Sequence, residues 1–166
     1  MTKYVLVSLA MLGTFALKAQ QPAAKNPERS SPKKVVFVCE HGAAKSIIAA
    51  AEFERLAKEN GLAVQVVSRG TVPDAEIAAT VRKGLLSNGI DIGPVKPVKV
   101  SMKDFENVSR VVSFGPDLTP WLPEGVKAAD WSAAPSPSED YQAARLYIVK
   151  QVESLVLQMK REQAPR

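Results

Sequence analysis

The chain has one cysteine and one histidine. Both fall in the stretch Val35–Ser46, V-V-F-V-C-E-H-G-A-A-K-S, as Cys39 and His41. These residue types suit covalent chemistry on an oxyanion. A thiol in electropositive surroundings acts as a nucleophile, Lys45 supplies a cation, and Ser46 supplies a hydroxyl. Between them, Glu40, His41, Gly42, Ala43 and Ala44 form a loop with small residues at its end. Such a loop, leading into a helix, gathers backbone N–H groups into a cup for an anion. Lys45 in the first helical turn opposes the helix macrodipole, and a bound anion would offset that. Glu40 works in the opposite sense. Gly42 takes a left-handed backbone without steric cost. A lone cysteine excludes an internal disulfide and a thiolate metal cluster. A histidine metal site or a Ser-His-Asp triad would have only His41 to use, so neither a metal nor a cofactor is expected.

Positioning that loop requires a strand before it and a helix after it. Lys34–Cys39 is apolar and β-branched, as a buried strand should be. Lys45–Asn60 reads as a helix with Ile47, Ile48, Ala51, Leu56 and Ala57 inward, Glu52, Arg55, Lys58 and Glu59 outward, and Asn60-Gly61 as its stop. A second strand is expected over Ala63–Ser68, ending at Arg69-Gly70-Thr71. A second helix is expected over Asp74–Ser87, with Ile77, Val81, Leu85 and Leu86 inward. Val98–Val100 reads as a short strand, Ser101–Phe105 as a capped brief helix, Ser109–Phe114 as a strand, and Gly125–Trp131 as an extended segment. For the last helix, Ser136, Pro137 and Glu139 fit a capping box with proline at the first helical position. It should run to about Lys160, burying Ala144, Ile148, Val152, Leu155 and Val156. Strands alternating with helices imply right-handed crossovers. The expected fold class is therefore α/β, a three-layer sandwich with a central parallel sheet of about four strands and helices on both faces. Ligands of such sheets bind at the carboxyl ends of the strands, where Cys39, Arg69–Thr71 and Gly115–Asp117 all fall.

The 166 residues suit one domain, and apolar content of 46% is ordinary for a globular chain. The formal charge of +5 is mild and scattered. It gives no nucleic-acid footprint. Lys3, the uncharged apolar stretch Tyr4–Leu17, and Lys18-Ala19-Gln20 have the layout of a signal peptide over residues 1–19. The apolar run falls short of the roughly 20 residues that span a bilayer; the alternative is an uncleaved anchor. No cysteine near the cleavage point offers a lipid attachment. Residues 20–32 lack periodicity and read as a flexible tether. The domain proper is then 33–162, exported to a bacterial periplasm or the extracellular space, without stable membrane association once the leader is removed.

C-E-H-G-A-A-K-S resembles the phosphate loop of the low-molecular-weight protein tyrosine phosphatases and related arsenate reductases, whose pattern is a strand, then C-x-G-N-x-x-R-S, then a helix. Ser68-Arg69-Gly70-Thr71 resembles that family's S-A-G-T. The resemblance covers about Lys34 to Lys160. It implies Cys39 as the thiolate nucleophile, Lys45 as the oxyanion-side cation and Ser46 as the hydroxyl supporting the thiolate. The loop residues 40–45 would bind phosphate.

Three departures accompany it. Lys45 stands where the family has arginine, a point charge in place of a planar fork; Arg69 is a candidate to supply the guanidinium. His41-Gly42 replaces Gly-Asn, so no side chain braces the loop, and His41 is expected mainly to face solvent. Trp131-Ser132-Ala133-Ala134-Pro135 ends in Ala-Pro where the family's acid-bearing segment ends in Asp-Pro. Asp117 and Asp130 are the candidate substitutes for that acid. The leading expectation is an exported phosphatase acting on a phosphomonoester, including phosphotyrosine. The alternatives are arsenate reduction with an external thiol, and an oxyanion-binding module without catalysis. Phosphate, arsenate or a phosphorylated substrate is the expected partner in each.

Overall fold

The structure, a computed structural model, describes residues 33–163. The leader over 1–19 and the tether over 20–32 lie outside the described residues. Four strands form one sheet: β1 (Lys33–Cys39), β2 (Val64–Gly70), β3 (Val108–Ser113) and β4 (Ala128–Asp130), in the order β2-β1-β3-β4. Every pairing is parallel. The helices are α1 (Lys45–Glu59), α2 (Ala79–Ser87) and α3 (Tyr141–Gln163), with a 3-10 turn at Met102–Phe105. This is the expected α/β fold with a four-stranded parallel sheet.

The two-residue period of β1 sorts its side chains onto two faces. Val35, Phe37 and Cys39 join a core made with α1, α2 and α3, while Val36 and Val38 join a smaller one with Val67, Phe105, Val111 and Leu118. The faces are thus covered unequally, three α-helices on one and the 3-10 turn with its flanking loops on the other. Asp104 caps that turn, its Oδ2 accepting from the Ser101 amide at 2.8 Å and the Ser101 hydroxyl at 3.0 Å.

Several expectations need correction. Glu52, placed on the outer face of α1, is 0% exposed. Its Oε1 accepts from Arg145 Nε at 2.7 Å and its Oε2 from Arg55 Nη2 at 2.9 Å, so a buried carboxylate clamps α1 to α3. Phe53, not Ala51 or Leu56, fills the adjoining core position. α2 begins at Ala79, well after Asp74. The intervening segment is held in turns, with the Ala78 amide donating to Ala43 O at 3.1 Å. Leu86 points outward, 61% exposed. The 98–100 strand reduces to a single bridge between Gly70 and Lys99. The Ser136 capping box does not form. The Ser136 carbonyl closes a turn by accepting from the Glu139 and Asp140 amides, and Asp140 Oδ1 caps α3 by accepting from the Ala143 amide at 2.9 Å. Leu155 is only partly buried.

Candidate active site

β1 ends at Cys39 in parallel register with Gly70 at the end of β2. The loop that follows is braced by backbone rather than by side chains. Gly42 has φ +60°, and a Cβ there would stand 2.8 Å from the Gly70 nitrogen; a Cβ on Gly70 would stand 2.6 Å from the Gly42 nitrogen. Two glycines are therefore needed for the loop to lie against β2. Four carbonyls of this stretch are engaged by amides from beyond the loop. Cys39 O accepts from the Thr71 amide at 3.2 Å, Glu40 O from Val72 at 2.8 Å, His41 O from Asp74 at 3.0 Å and Ala43 O from Ala78 at 3.1 Å. Among the described residues, no amide of 40–46 donates to a protein acceptor. Ala44 caps α1 without a side-chain hydrogen bond, and no acid stands in the first turn of that helix. Orphan amides at a helix start call for an anion.

The thiol belongs to this cup. Cys39 Sγ lies 3.1 Å from Ser46 Oγ, and Ser46 is fully buried. Ser68, from β2, donates to Ser46 Oγ at 3.3 Å. Ser68 can therefore orient the Ser46 hydroxyl so that its proton faces the sulfur.

A hollow of about 320 Å³ opens onto Cys39. Glu40, His41, Ala43, Ala44 and Lys45 line it, as expected from the loop, and Asp74, Thr80, Ser136 and Ser138 complete its polar wall. His41 is half exposed yet faces two carboxylates. Its Nδ1 lies 3.3 Å from Asp74 Oδ1 and its Nε2 lies 3.7 Å from Glu40 Oε2. Lys45 crosses the hollow, and its Nζ donates to Ala134 O at 2.6 Å. The cation thus reaches the segment that ends in Ala134-Pro135. Trp131 anchors that segment by packing against Phe37 and Phe114.

Arg69 does not join this group. Its Nε and Nη2 hold Asp104 Oδ1 at 2.8 and 2.7 Å, and its Nη1 donates to Ser68 O. Burial pushes the Asp104 carboxyl up, but the Arg69 guanidinium and the Ser101 donors outweigh it and hold that carboxyl below its ordinary range. The guanidinium is committed to the opposite core. Asp117 and Asp130 do not join it either. They line a hollow of about 460 Å³ at the ends of β3 and β4, and Asp117 also lines one of about 430 Å³ shared with Glu40, Thr71 and Phe114. Asp117 Oδ1 accepts from the Thr119 hydroxyl and amide at 2.6 and 2.9 Å, and Asp130 Oδ1 from the Ser132 amide at 2.8 Å. These donors hold both carboxyls below the usual range, the wrong direction for a general acid.

Sequence reasoning missed Asp74 and Thr80, which fall within the helix expected over Asp74–Ser87, and Ser136 and Ser138, which fall at the start expected for the last helix. Ser68 had a usable signal, since it lies in the S-R-G-T motif whose register places it beside β1. Size would also mislead. A larger hollow, about 790 Å³, lies between α1, β2 and residues 89–98. It contains no thiol, and Arg55, Arg69 and Lys96 on its wall are paired with Glu52, Asp104 and Glu76.

A family model described as low molecular weight phosphotyrosine protein phosphatase matches residues 34–119. A search of curated proteins finds no match. Among solved structures, YfkJ from Bacillus subtilis superposes with a TM-score of 0.72 at 18% identity, covering 82% of this chain and 99% of its own. The low molecular weight phosphotyrosine phosphatase VcLMWPTP-2 of Vibrio cholerae O395 gives 0.71 at 20% identity, covering 80% and 99%. The thioredoxin-dependent arsenate reductase Cg_ArsC1' of Corynebacterium glutamicum gives 0.69 at 25% identity, covering 81% of this chain and 65% of its own.

Proposed function

This chain belongs to the low molecular weight phosphotyrosine protein phosphatase family, a family of cysteine-dependent phosphatases, and from that premise we propose that it is an exported enzyme hydrolysing a phosphomonoester, with phosphotyrosine a fitting substrate class. One observation carries the reading. Cys39 Sγ pairs with a buried Ser46 hydroxyl at 3.1 Å, beneath a loop in which four carbonyls are engaged by amides from beyond it while the amides of 40–46 donate to no protein acceptor among the described residues.

The chemistry takes two displacements. The Cys39 thiolate attacks phosphorus, a P–S bond forms, the bond to the ester oxygen breaks, and the leaving oxygen takes a proton. Water then attacks phosphorus, the P–S bond breaks, and phosphate departs with the thiolate restored. The loop amides receive the phosphoryl oxygens, where fixed donors lower the barrier most. Ser46 donates to the sulfur and stabilises it both as nucleophile and as leaving group. An ammonium has three donors. Lys45 commits one of them to Ala134 O, and the others remain for an equatorial oxygen.

Turnover of an aryl phosphate, lost in Cys39→Ser, tests this reading; no turnover in the native protein from mildly acidic to neutral pH contradicts it. Export rests on the leader over 1–19. It is tested by the N-terminal sequence of protein recovered outside the cytoplasm, which should begin at Gln20.

A second reading is an oxyanion-binding module without catalysis. It draws support from the tie between Lys45 and Ala134 and from the placement of Asp117 and Asp130 in another hollow. It predicts that phosphate raises the Tm while no phosphate is released, and that Lys45→Arg brings no gain in rate. Arsenate reduction, the activity named for the Corynebacterium glutamicum relative, would appear instead as arsenate-dependent consumption of an added thiol.

A further inference from the structure

The phosphatase reading leaves one step without a residue, the proton that the leaving oxygen takes. The groups in the Cys39 hollow able to carry one are Glu40, His41, Lys45 and Asp74. Lys45 donates to Ala134 O at 2.6 Å. Asp117 and Asp130 open onto another hollow. Glu40 points its carboxylate toward His41 Nε2 at 3.7 Å, and its carbonyl is fixed by the Val72 amide at 2.8 Å. That leaves His41 and Asp74, which face each other across 3.3 Å, Nδ1 to Oδ1.

Their placement is over-determined by backbone. His41 precedes Gly42, whose fit against Gly70 fixes the loop. The Asp74 amide donates to His41 O at 3.0 Å, so one residue holds the other by main chain and side chain alike. A carboxylate on Nδ1 selects the imidazole tautomer and turns Nε2 toward the remaining space. Here Nε2 comes to face Glu40 Oε2 at 3.7 Å, on the rim of the hollow that His41, Glu40 and Cys39 line together. Both side chains are about half exposed, His41 at 57% and Asp74 at 54%, as befits groups at the mouth where a leaving group departs.

We propose that His41, oriented by Asp74, is the proton carrier of the Cys39 site. The proposal rests on the phosphatase reading. In the first displacement the imidazolium Nε2–H passes its proton to the leaving oxygen as the P–O bond breaks, leaving a neutral imidazole. In the second displacement Nε2 takes a proton from the attacking water as the P–S bond breaks, and the imidazolium is restored. Asp74 remains ionised throughout and acts as a positioning residue, with Glu40 the second carboxylate facing the ring.

The test compares two aryl phosphates on native protein, His41→Gln and Asp74→Asn. 4-Nitrophenyl phosphate expels a stable anion and needs little protonation; phenyl phosphate needs much more. General acid catalysis contributes about 100-fold or more. His41→Gln should therefore lose about 100-fold in kcat/KM on phenyl phosphate and less than about tenfold on 4-nitrophenyl phosphate. Asp74→Asn should show the same bias with a smaller loss, and Asp74→Glu should recover part of it. Phosphate should raise the Tm of all variants as it does in the native protein, because the amides that bind it are untouched. Equal losses on the two substrates, or none, overturn the role of His41 while leaving the phosphatase reading intact. An absence of phosphocysteine and turnover in native protein with 4-nitrophenyl phosphate overturns both.

Discussion

Two hollows lie side by side at the carboxyl edge of the same sheet, and their contents differ in one physical respect. At the end of β1, the loop carbonyls are bound by neighbouring amides while the loop's own amides are not. At the ends of β3 and β4, the carboxylates of Asp117 and Asp130 already accept from Thr119 and Ser132 within their own turns. The first hollow holds unsatisfied donors next to a thiol. The second holds carboxylates that each already accept through Oδ1 within their own turns. A strand's carboxyl end supplies a cleft, but only unmet hydrogen-bonding capacity supplies a binding site.

The comparison breaks most completely at the nucleophile. Cys39→Ser should reduce kcat by about 10,000-fold or more without shifting the Tm, since the side chains are nearly the same size. Next comes the close approach of Gly42 to Gly70. Gly42→Ala places a Cβ 2.8 Å from a backbone nitrogen at φ +60°, and should cost about 2 kcal/mol of stability or more. It should also abolish the phosphate-induced rise in Tm, because the amides no longer converge; calorimetry reads both effects. Ser46→Ala removes a hydrogen bond to a charged sulfur worth about 1.5–3 kcal/mol, so phosphocysteine formation should slow about tenfold to a hundredfold in rapid-quench experiments. Asp117→Asn and Asp130→Asn should leave turnover unchanged. That result would separate the two hollows functionally.

The second hollow has its own pH signature. Hydrogen bonds from Thr119 and Ser132 hold the folded carboxyls of Asp117 and Asp130 below their ordinary values. Their contribution to stability is therefore complete above the unfolded aspartate value of about 3.9. It is lost as pH falls through the lowered folded values. Carboxyl chemical shifts followed by NMR should titrate with midpoints below the ordinary aspartate value, and activity between pH 5 and 8 should show no trace of either group.

How much of this was legible in the sequence depended on whether the signal was local. Val35–Ser46 announced itself because a β-branched run, small residues and an alanine-rich helix are each read over a few positions, and the structure places a strand, a tight loop and α1 there. Glu52 was misread because helical periodicity assigns a charge to solvent. What buries it is Arg145, on a helix far along the chain. The start of α3 was misread for a related reason, since Ser136 and Glu139 carry the right types for a cap while the Ser136 carbonyl closes a turn instead. Asp74 looked like the first residue of a helix. Its approach to His41 exists only because β1 and β2 pair in register from Lys33↔Val64 to Cys39↔Gly70, which brings the two following loops together. Arg69 pointed the other way because Asp104, not the cup, offered it a carboxylate.

The central claim is that Cys39 accepts a phosphoryl group in the first of these hollows. Native protein mixed with 4-nitrophenyl phosphate, acid-quenched within one turnover and examined by peptide mass spectrometry, tests it most directly. A phosphoryl adduct on the peptide bearing Cys39, absent in Cys39→Ser, is the predicted result. Release of phosphate with no adduct, or an adduct that persists when Cys39 is replaced, would contradict it.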